Sequence, residues 1–163
     1  MIVLDIVPEA GDWTGLAGTG LAGAEALARR AAEAAVAVAD AADEDFEVGM
    51  MLTDDAGIRT LNRQWRGKDK PTNVLSFPAP EQPGLEGPRH LGDIALAYET
   101  LVREAEEESK PLAHHFAHLV VHGVLHLLGY DHEVEEEADA MEALEIEALA
   151  TLGIADPYRD MAA

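Results

Sequence analysis

The residues best suited to chemistry in this chain of 163 residues are histidines in the run H-G-V-L-H-L-L-G-Y-D-H, residues 122–132. His122 and His126 stand four apart. On a helix that spacing sets both rings on one face with about 5–6 Å between Cβ atoms, which suits two ligands of one ion. Gly129 can take the left-handed conformation that ends a helix and turns the chain back, so His132 is offered as a third ligand. Three neutral imidazoles leave the fourth position of a tetrahedral zinc open for a water with its pKa lowered to about 7, the arrangement of a catalytic site. The expectation is one zinc per chain on His122, His126 and His132.

His118 extends the stripe, but His118, His122 and His126 cannot easily all bind one ion. His118 lies about 12 Å along the helix axis from His126, whereas ligands of one tetrahedral zinc lie about 3.4 Å from each other. It reads either as a cleft residue beside the ligands or as a histidine of a core-packed helix. Asp131 reads either as a partner of a ligand histidine or as a turn residue. The metalloprotease motif H-E-x-x-H places a general-base Glu directly after its first histidine. Gly123 stands at that position here, which counts against peptide hydrolysis.

Composition narrows the chemistry. There is no cysteine, so a metal must be held by His, Asp or Glu, in keeping with a reducing cytoplasm. No basic segment precedes an apolar stretch at the N-terminus, so no signal peptide is read. The most apolar window, Leu119 to Leu128, is too short to span a bilayer, and no membrane partner is expected. With 32 acidic against 11 basic residues the net charge is −21, which taken globally opposes nucleic-acid binding. The distribution differs from the total, because Arg59, Arg63, Arg66, Lys68 and Lys70 fall within twelve positions, accompanied only by Asp69. A basic stripe on an acidic body and a solvated helix face are both consistent with this pattern.

The elements that must position these residues are legible in outline. Ile2 to Val7 and Glu47 to Leu52 read as strands, with an alanine-rich helix between them from about Leu21 to Ala42. Thr53 is the expected N-cap of a helix that carries Ile58, Leu61 and Trp65 on one face and ends near Gly67. Asn73 to Phe77, stopped by Pro78, and Leu91 to Ala97 read as two more strands separated by a Pro- and Gly-rich loop. Helices follow from Glu99 to Ser109, from Pro111 to Leu128, and from Val134 to Leu152, the last with Met141, Leu144, Ala148 and Leu152 inward. The order predicts a single α+β hydrolase domain over 1–163, with the zinc site on a central helix and the turn after it. Gly18-Thr19-Gly20-Leu21-Ala22-Gly23 spells G-x-G-x-x-G. The nearest strand ends well before it and no series of βαβ units is read after it, so no nucleotide cofactor is expected.

The histidine run, together with L-N-R-Q-W-R-G-K-D-K-P-T-N-V-L-S-F-P at 61–78 and L-G-D-I at 91–94, resembles the YbeY family of bacterial endoribonucleases and rRNA maturation factors. The similarity spans about residues 46–160, through D-P-Y at 156–158. The resemblance implies a zinc-bound α+β fold with a small mixed sheet packed with helices, and hydrolysis of single-stranded RNA. It implies a cytoplasmic role in maturing the 3′ end of small-subunit (16S) rRNA and in ribosome quality control, with the ribosome or small-subunit factors as partners. The family's motif histidines map to His122, His126 and His132, and its functionally important arginine maps to Arg66. Position 73, commonly Asp in the family, is Asn here. Two other readings stand beside this one: a metallopeptidase-like hydrolase, and a non-catalytic ribosome-associated module stabilised by zinc. A fourth ligand from Asp131 or His118 would favour the module. Whether zinc-bound water or the RNA 2′-OH is the nucleophile stays open.

Overall fold

The computed structural model describes residues 1–15, 20–80, 87–131 and 133–158. Strand β1 (Ile2–Pro8) buries Ile2 and Leu4 and exposes Val3 and Asp5, the period of two that marks a sheet with one well-covered face. Strand β2 (Phe46–Thr53) runs parallel to it. A parallel pair needs a crossover of a dozen or more residues. Helix α1 (Gly20–Val38) lies in this one, burying Ala24, Ala28, Ala31 and Ala35. Strand β4 (Arg89–Ala97) lies parallel to β2, and β3 (Val74–Pro78) pairs antiparallel on the far side of β4. The sheet order is therefore β1-β2-β4-β3, with β3 at one edge.

Helix α2 (Asp55–Arg66) connects β2 to β3, and α3 (Tyr98–Glu107), α4 (Leu112–Leu127) and α5 (Glu135–Thr151) follow β4. Helix α4 is the central one, with Phe116, Ala117, Val120, Val121, Val124 and Leu125 all fully buried. Together with α1 and α5 it packs on Leu4, Val48, Met50 and Leu96 in the main core. On the opposite face a smaller cluster joins Ile58 of α2 to Leu75, Ala95 and Ala97. That second face is only partly covered: Val3 is 48% exposed and Val7 52%. The mixed sheet and helices form the α+β fold expected from the sequence.

Several boundaries differ from the sequence reading. The N-cap of α2 is Asp54, whose side chain accepts from the Gly57 N–H at 2.8 Å. Thr53 is taken instead by the sheet, where it pairs with Ala97. Pro78 ends β3 as its last residue, opposite Gly92; at the end of an edge strand its missing N–H costs the ladder little. Strand β4 begins at Arg89, inside the expected loop. Strands β1 and β2 with α1 form one parallel βαβ unit in a sheet that is otherwise mixed. Even so, β1 ends at Pro8 and α1 starts at Gly20, so the strand does not run straight into the glycine turn a dinucleotide requires. Gly18 and Thr19 of that motif lie outside the described residues.

Candidate functional site

The apolar stripe of α4 sends the other side of the helix, with His118 and His122, to a cleft walled by Asn73 and Val74 of the β3 approach, by Glu104 and by Tyr158. The rings of His122 and His126 lie 6.3 Å apart and within 8° of parallel, while the His118 ring stands edge-on to His122 at 6.5 Å. Leu128 caps the helix and Gly129 follows at φ 106°, a left-handed conformation that glycine adopts without strain. The Tyr130 N–H then donates back to the Leu125 carbonyl at 3.1 Å. The chain thus reverses directly after His126, as the spacing predicts. His132, the third expected ligand, lies outside the described residues. Among the described residues no group of three His, Asp or Glu is arranged to hold a metal ion.

The centre of the cleft is a carboxylate that the sequence reading did not single out. Glu145 of α5 is fully buried. One of its oxygens accepts from His122 Nδ1 at 2.5 Å; the other accepts from His118 Nε2 at 3.1 Å and from the Tyr158 hydroxyl. Burial pushes the Glu145 carboxyl up, but the hydrogen bonds from His118, His122 and Tyr158 outweigh it and hold the pKa at about 2. Burial, and donation to this carboxylate, push the Tyr158 hydroxyl well above its ordinary range. An ionised carboxylate can only accept, so His122 donates from Nδ1, and Nε2 is the nitrogen that could serve as a metal ligand. That is the arrangement of a metal-ligating histidine oriented by a carboxylate. By the same argument His118 spends Nε2 on Glu145, and its Nδ1 is buried with no hydrogen-bond partner among the described residues.

These features test whether the residues fit zinc. An imidazole with its orientation already set, beside a second parallel imidazole four residues on, is a donor pair of the right chemistry. His118 is turned to Glu145 and not to a shared ion. Asn73 also has a defined role: its amide donates to Glu104 at 3.0 Å and its oxygen accepts from the Val74 N–H at 2.7 Å. A carboxylate at this position would stand against Glu104, whereas the amide pairs with it.

Arg66 is not in the histidine cleft. It ends α2, just before Gly67 at φ 68°, and its guanidinium donates to the Ser76 carbonyl at 2.6 Å while lying 5.6 Å from the Phe77 ring. Val74, which lines the histidine cleft, is two residues from Ser76, about 7 Å along a strand. The structure therefore brings Arg66 and the histidines to one edge strand from opposite sheet faces. Glu145 did carry a sequence signal: with Met141, Ala148 and Leu149 it forms an i, i+4, i+7, i+8 stripe in which an acid replaces an apolar residue. Tyr158 had none beyond its place in the closing D-P-Y.

The family profile described as Endoribonuclease YbeY matches residues 21–153. The curated Endoribonuclease YbeY of Rhodopseudomonas palustris (strain BisA53) is 61% identical over 140 residues, covering 84% of this chain and 81% of the relative. That of Bradyrhizobium sp. (strain BTAi1) is 62% identical over 141 residues, covering 84% and 83%. Among solved structures, the solution structure of TM1509 from Thermotoga maritima matches with a TM-score of 0.54 at 26% identity, over 98% of this chain and 99% of that one. The chain belongs to the endoribonuclease YbeY family.

Proposed function

We propose that this member of the YbeY family cuts single-stranded RNA at one zinc ion held by His122, His126 and His132. We further propose that its substrate is the 3′ region of 16S rRNA, met in the cytoplasm on the ribosome or with small-subunit factors, where cleavage serves maturation and ribosome quality control. The observation that carries the reading is the 2.5 Å bond between Glu145 and His122 Nδ1, which orients an imidazole and reserves its Nε2 for a ligand. Bound there, zinc would supply a Lewis acid for a phosphoryl oxygen and an acidified water. The chain's own residues do the rest. Glu145 fixes the ring of His122, and the hydrogen bonds from His118, His122 and Tyr158 together hold Glu145 ionised. Arg66, at the outer edge of β3, presents a planar fork suited to a phosphate of the bound strand. Among the described residues no helix is long and apolar enough to cross a membrane, which is compatible with the proposed location.

Both competing readings lose support on particular residues. A peptidase would need a general base at position 123, yet Gly123 faces Ile94 in the core. A closed structural zinc with His118 as fourth ligand would have to use His118 Nδ1, since Nε2 is given to Glu145, and would have to bridge about 12 Å of helix axis to His126. The test is elemental analysis of His122→Ala, His126→Ala, His132→Ala and His118→Ala, alongside cleavage of a single-stranded 16S 3′-end RNA. The first three variants lose zinc and cleavage, and His118→Ala keeps most of its metal. Normal zinc in His132→Ala would sink the triad. A product ending in 2′,3′-cyclic phosphate would assign attack to the RNA 2′-OH, and a 3′-hydroxyl end paired with a 5′-phosphate would assign attack to water.

A further inference from the structure

The closing D-P-Y, residues 156–158, builds a rigid arm. Pro157 has its φ fixed by its own ring, and the Asp156 side chain accepts from the Tyr158 N–H at 2.8 Å, a turn closed by an aspartate two residues back. The arm delivers Tyr158 to the histidine cleft, where the side chain is divided between two environments. Its hydroxyl reaches inward to the buried Glu145, yet the residue as a whole is 45% exposed. The His118 ring stands nearly perpendicular to it, 5.4 Å away. A phenol pinned at its hydroxyl and braced by an imidazole has little freedom to swing. Its open ring surface is therefore a fixed apolar patch in a cleft of about 260 Å³. An aromatic already held in place receives a planar group at little cost in side-chain entropy.

The charges around the ring select that group. Glu104 is engaged by the Asn73 amide at 3.0 Å and by His115 at 2.9 Å, and Glu108 by Lys110 at 2.9 Å. Glu142 and Asp156 lie close enough to Tyr158 to raise the pKa of its hydroxyl. A phosphate laid on the phenol would stand beside two carboxylates, whereas a neutral aromatic ring meets no such penalty. Of the parts of an RNA chain, only the base is both neutral and aromatic.

We propose that the ring of Tyr158 is the stacking surface for one unpaired base of the RNA beside the histidine pair, and so a specificity-determining residue that favours single strands. The inference rests on the reading above that the substrate is single-stranded RNA. The base lies on the phenol, and its phosphate points away from Glu142 and Asp156. In a duplex both faces of a base are covered by its neighbours in the stack, but an unpaired base can splay out onto an aromatic side chain. Stacking tolerates any base, because every base has a π face. Tyr158 therefore selects strandedness and not sequence.

The experiment uses the full chain carrying His126→Ala, so that binding is read without cutting while Glu145, His118, His122 and Tyr158 stay in place. The probe is an end-labelled single-stranded RNA decamer, intact or made abasic at each nucleotide in turn, with Kd read by fluorescence anisotropy. Loss of one particular base is expected to weaken binding about tenfold, and Tyr158→Leu to weaken binding of the intact decamer by the same factor. The two losses are expected not to add, since each removes the same contact. Tyr158→Phe keeps the ring and loses the bond to Glu145, so it is expected to hold the affinity and the sensitivity to the abasic position. Any fall in melting temperature from losing that bond is shared by both variants. Losses that add at every position, with single-stranded RNA cut by the wild type, overturn this inference and leave the proposed function standing. Binding by Tyr158→Phe as weak as by Tyr158→Leu assigns the effect to the hydroxyl and also overturns it. Losses that do not add at one position, in a chain whose wild type cuts no RNA, uphold the stacking surface and overturn the proposed activity.

Discussion

Glu145 is a carboxylate at a helix position whose neighbours in the stripe are Met141, Ala148 and Leu149, all buried. An unpaired charge there would be strongly destabilising. It is tolerated because His118, His122 and Tyr158 all donate to it. The same bonds give it a second task, since they fix the ring of a proposed zinc ligand. Glu145→Gln keeps the shape, loses the charge and weakens the hold on His122. We expect zinc affinity to fall about ten- to a hundred-fold, measured by competition with a chromogenic chelator; unchanged affinity would remove Glu145 from any role in orienting the ligand. The metal-free chain supplies an independent readout. The Glu145 pKa is lowered from the ordinary 4.5 to about 2. Its stabilising contribution is therefore complete above pH 4.5 and is lost as pH falls from there toward 2. Melting temperature against pH is expected to drop across that window in the wild type, and less steeply in Glu145→Gln.

At the scale of elements, the packing of α4 on β4 explains why this histidine helix lacks the acid of the peptidase motif. A Cβ placed on Gly123 would come 2.9 Å from Ile94 Cδ1 and 3.3 Å from its Cγ2. Ile94 is itself buried, so it has little room to move. Position 123 therefore faces the sheet, a quarter-turn or so from the face that carries His122 and His126, and a Glu there would enter the core, away from the cleft. Gly123→Ala is expected to destabilise the fold by about 1–3 kcal/mol through overpacking. Denaturant unfolding would read this, and Ile94→Val, which removes Cδ1, should recover part of the loss in the double variant. A Gly123→Ala chain as stable as the wild type would mean that α4 and β4 pack less tightly than these distances indicate.

The whole molecule is an acidic body with five of its eleven basic residues gathered on α2 and just after it. A net charge of −21 repels RNA at long range, so binding depends on a few local cations and is sensitive to salt. Arg66 differs from its neighbours because its fork already spans Ser76 and Phe77 at the edge of the sheet. Lysine can keep one bond to the Ser76 carbonyl and the positive charge, but not the planar fork. Arg66→Lys is expected to cut RNA roughly ten- to a hundred-fold more slowly, with zinc content and melting temperature near wild type. Arg63→Ala and Lys70→Ala are expected to bind RNA modestly more weakly and to lower the salt slope by about 0.7 for each phosphate no longer neutralised. Equal cleavage by wild type and Arg66→Lys, at matched salt and zinc occupancy, would remove Arg66 from the active site.

What the sequence alone determined about this protein is what local periodicity and short motifs carry. The i, i+4 spacing set His122 and His126 on one face of α4, Gly129 announced the reversal after them, and Gly67 ended α2. Three motifs in order pointed to the family. Tertiary structure decided what joins residues distant in the chain. Glu145 lies 23 residues from His122 and on another helix, and a single acid in an apolar stripe reveals its purpose only once three donors are folded onto it. The meeting of Arg66 with the edge of β3 depends on a strand order, β1-β2-β4-β3, that no local pattern encodes. Thr53 suited a helix cap by type, yet pairing with Ala97 drew it into the sheet and left the cap to Asp54. In each case a local preference worth about 1 kcal/mol yielded to packing and ladder bonds made across the chain, whose energies depend on partners that a one-dimensional pattern does not identify.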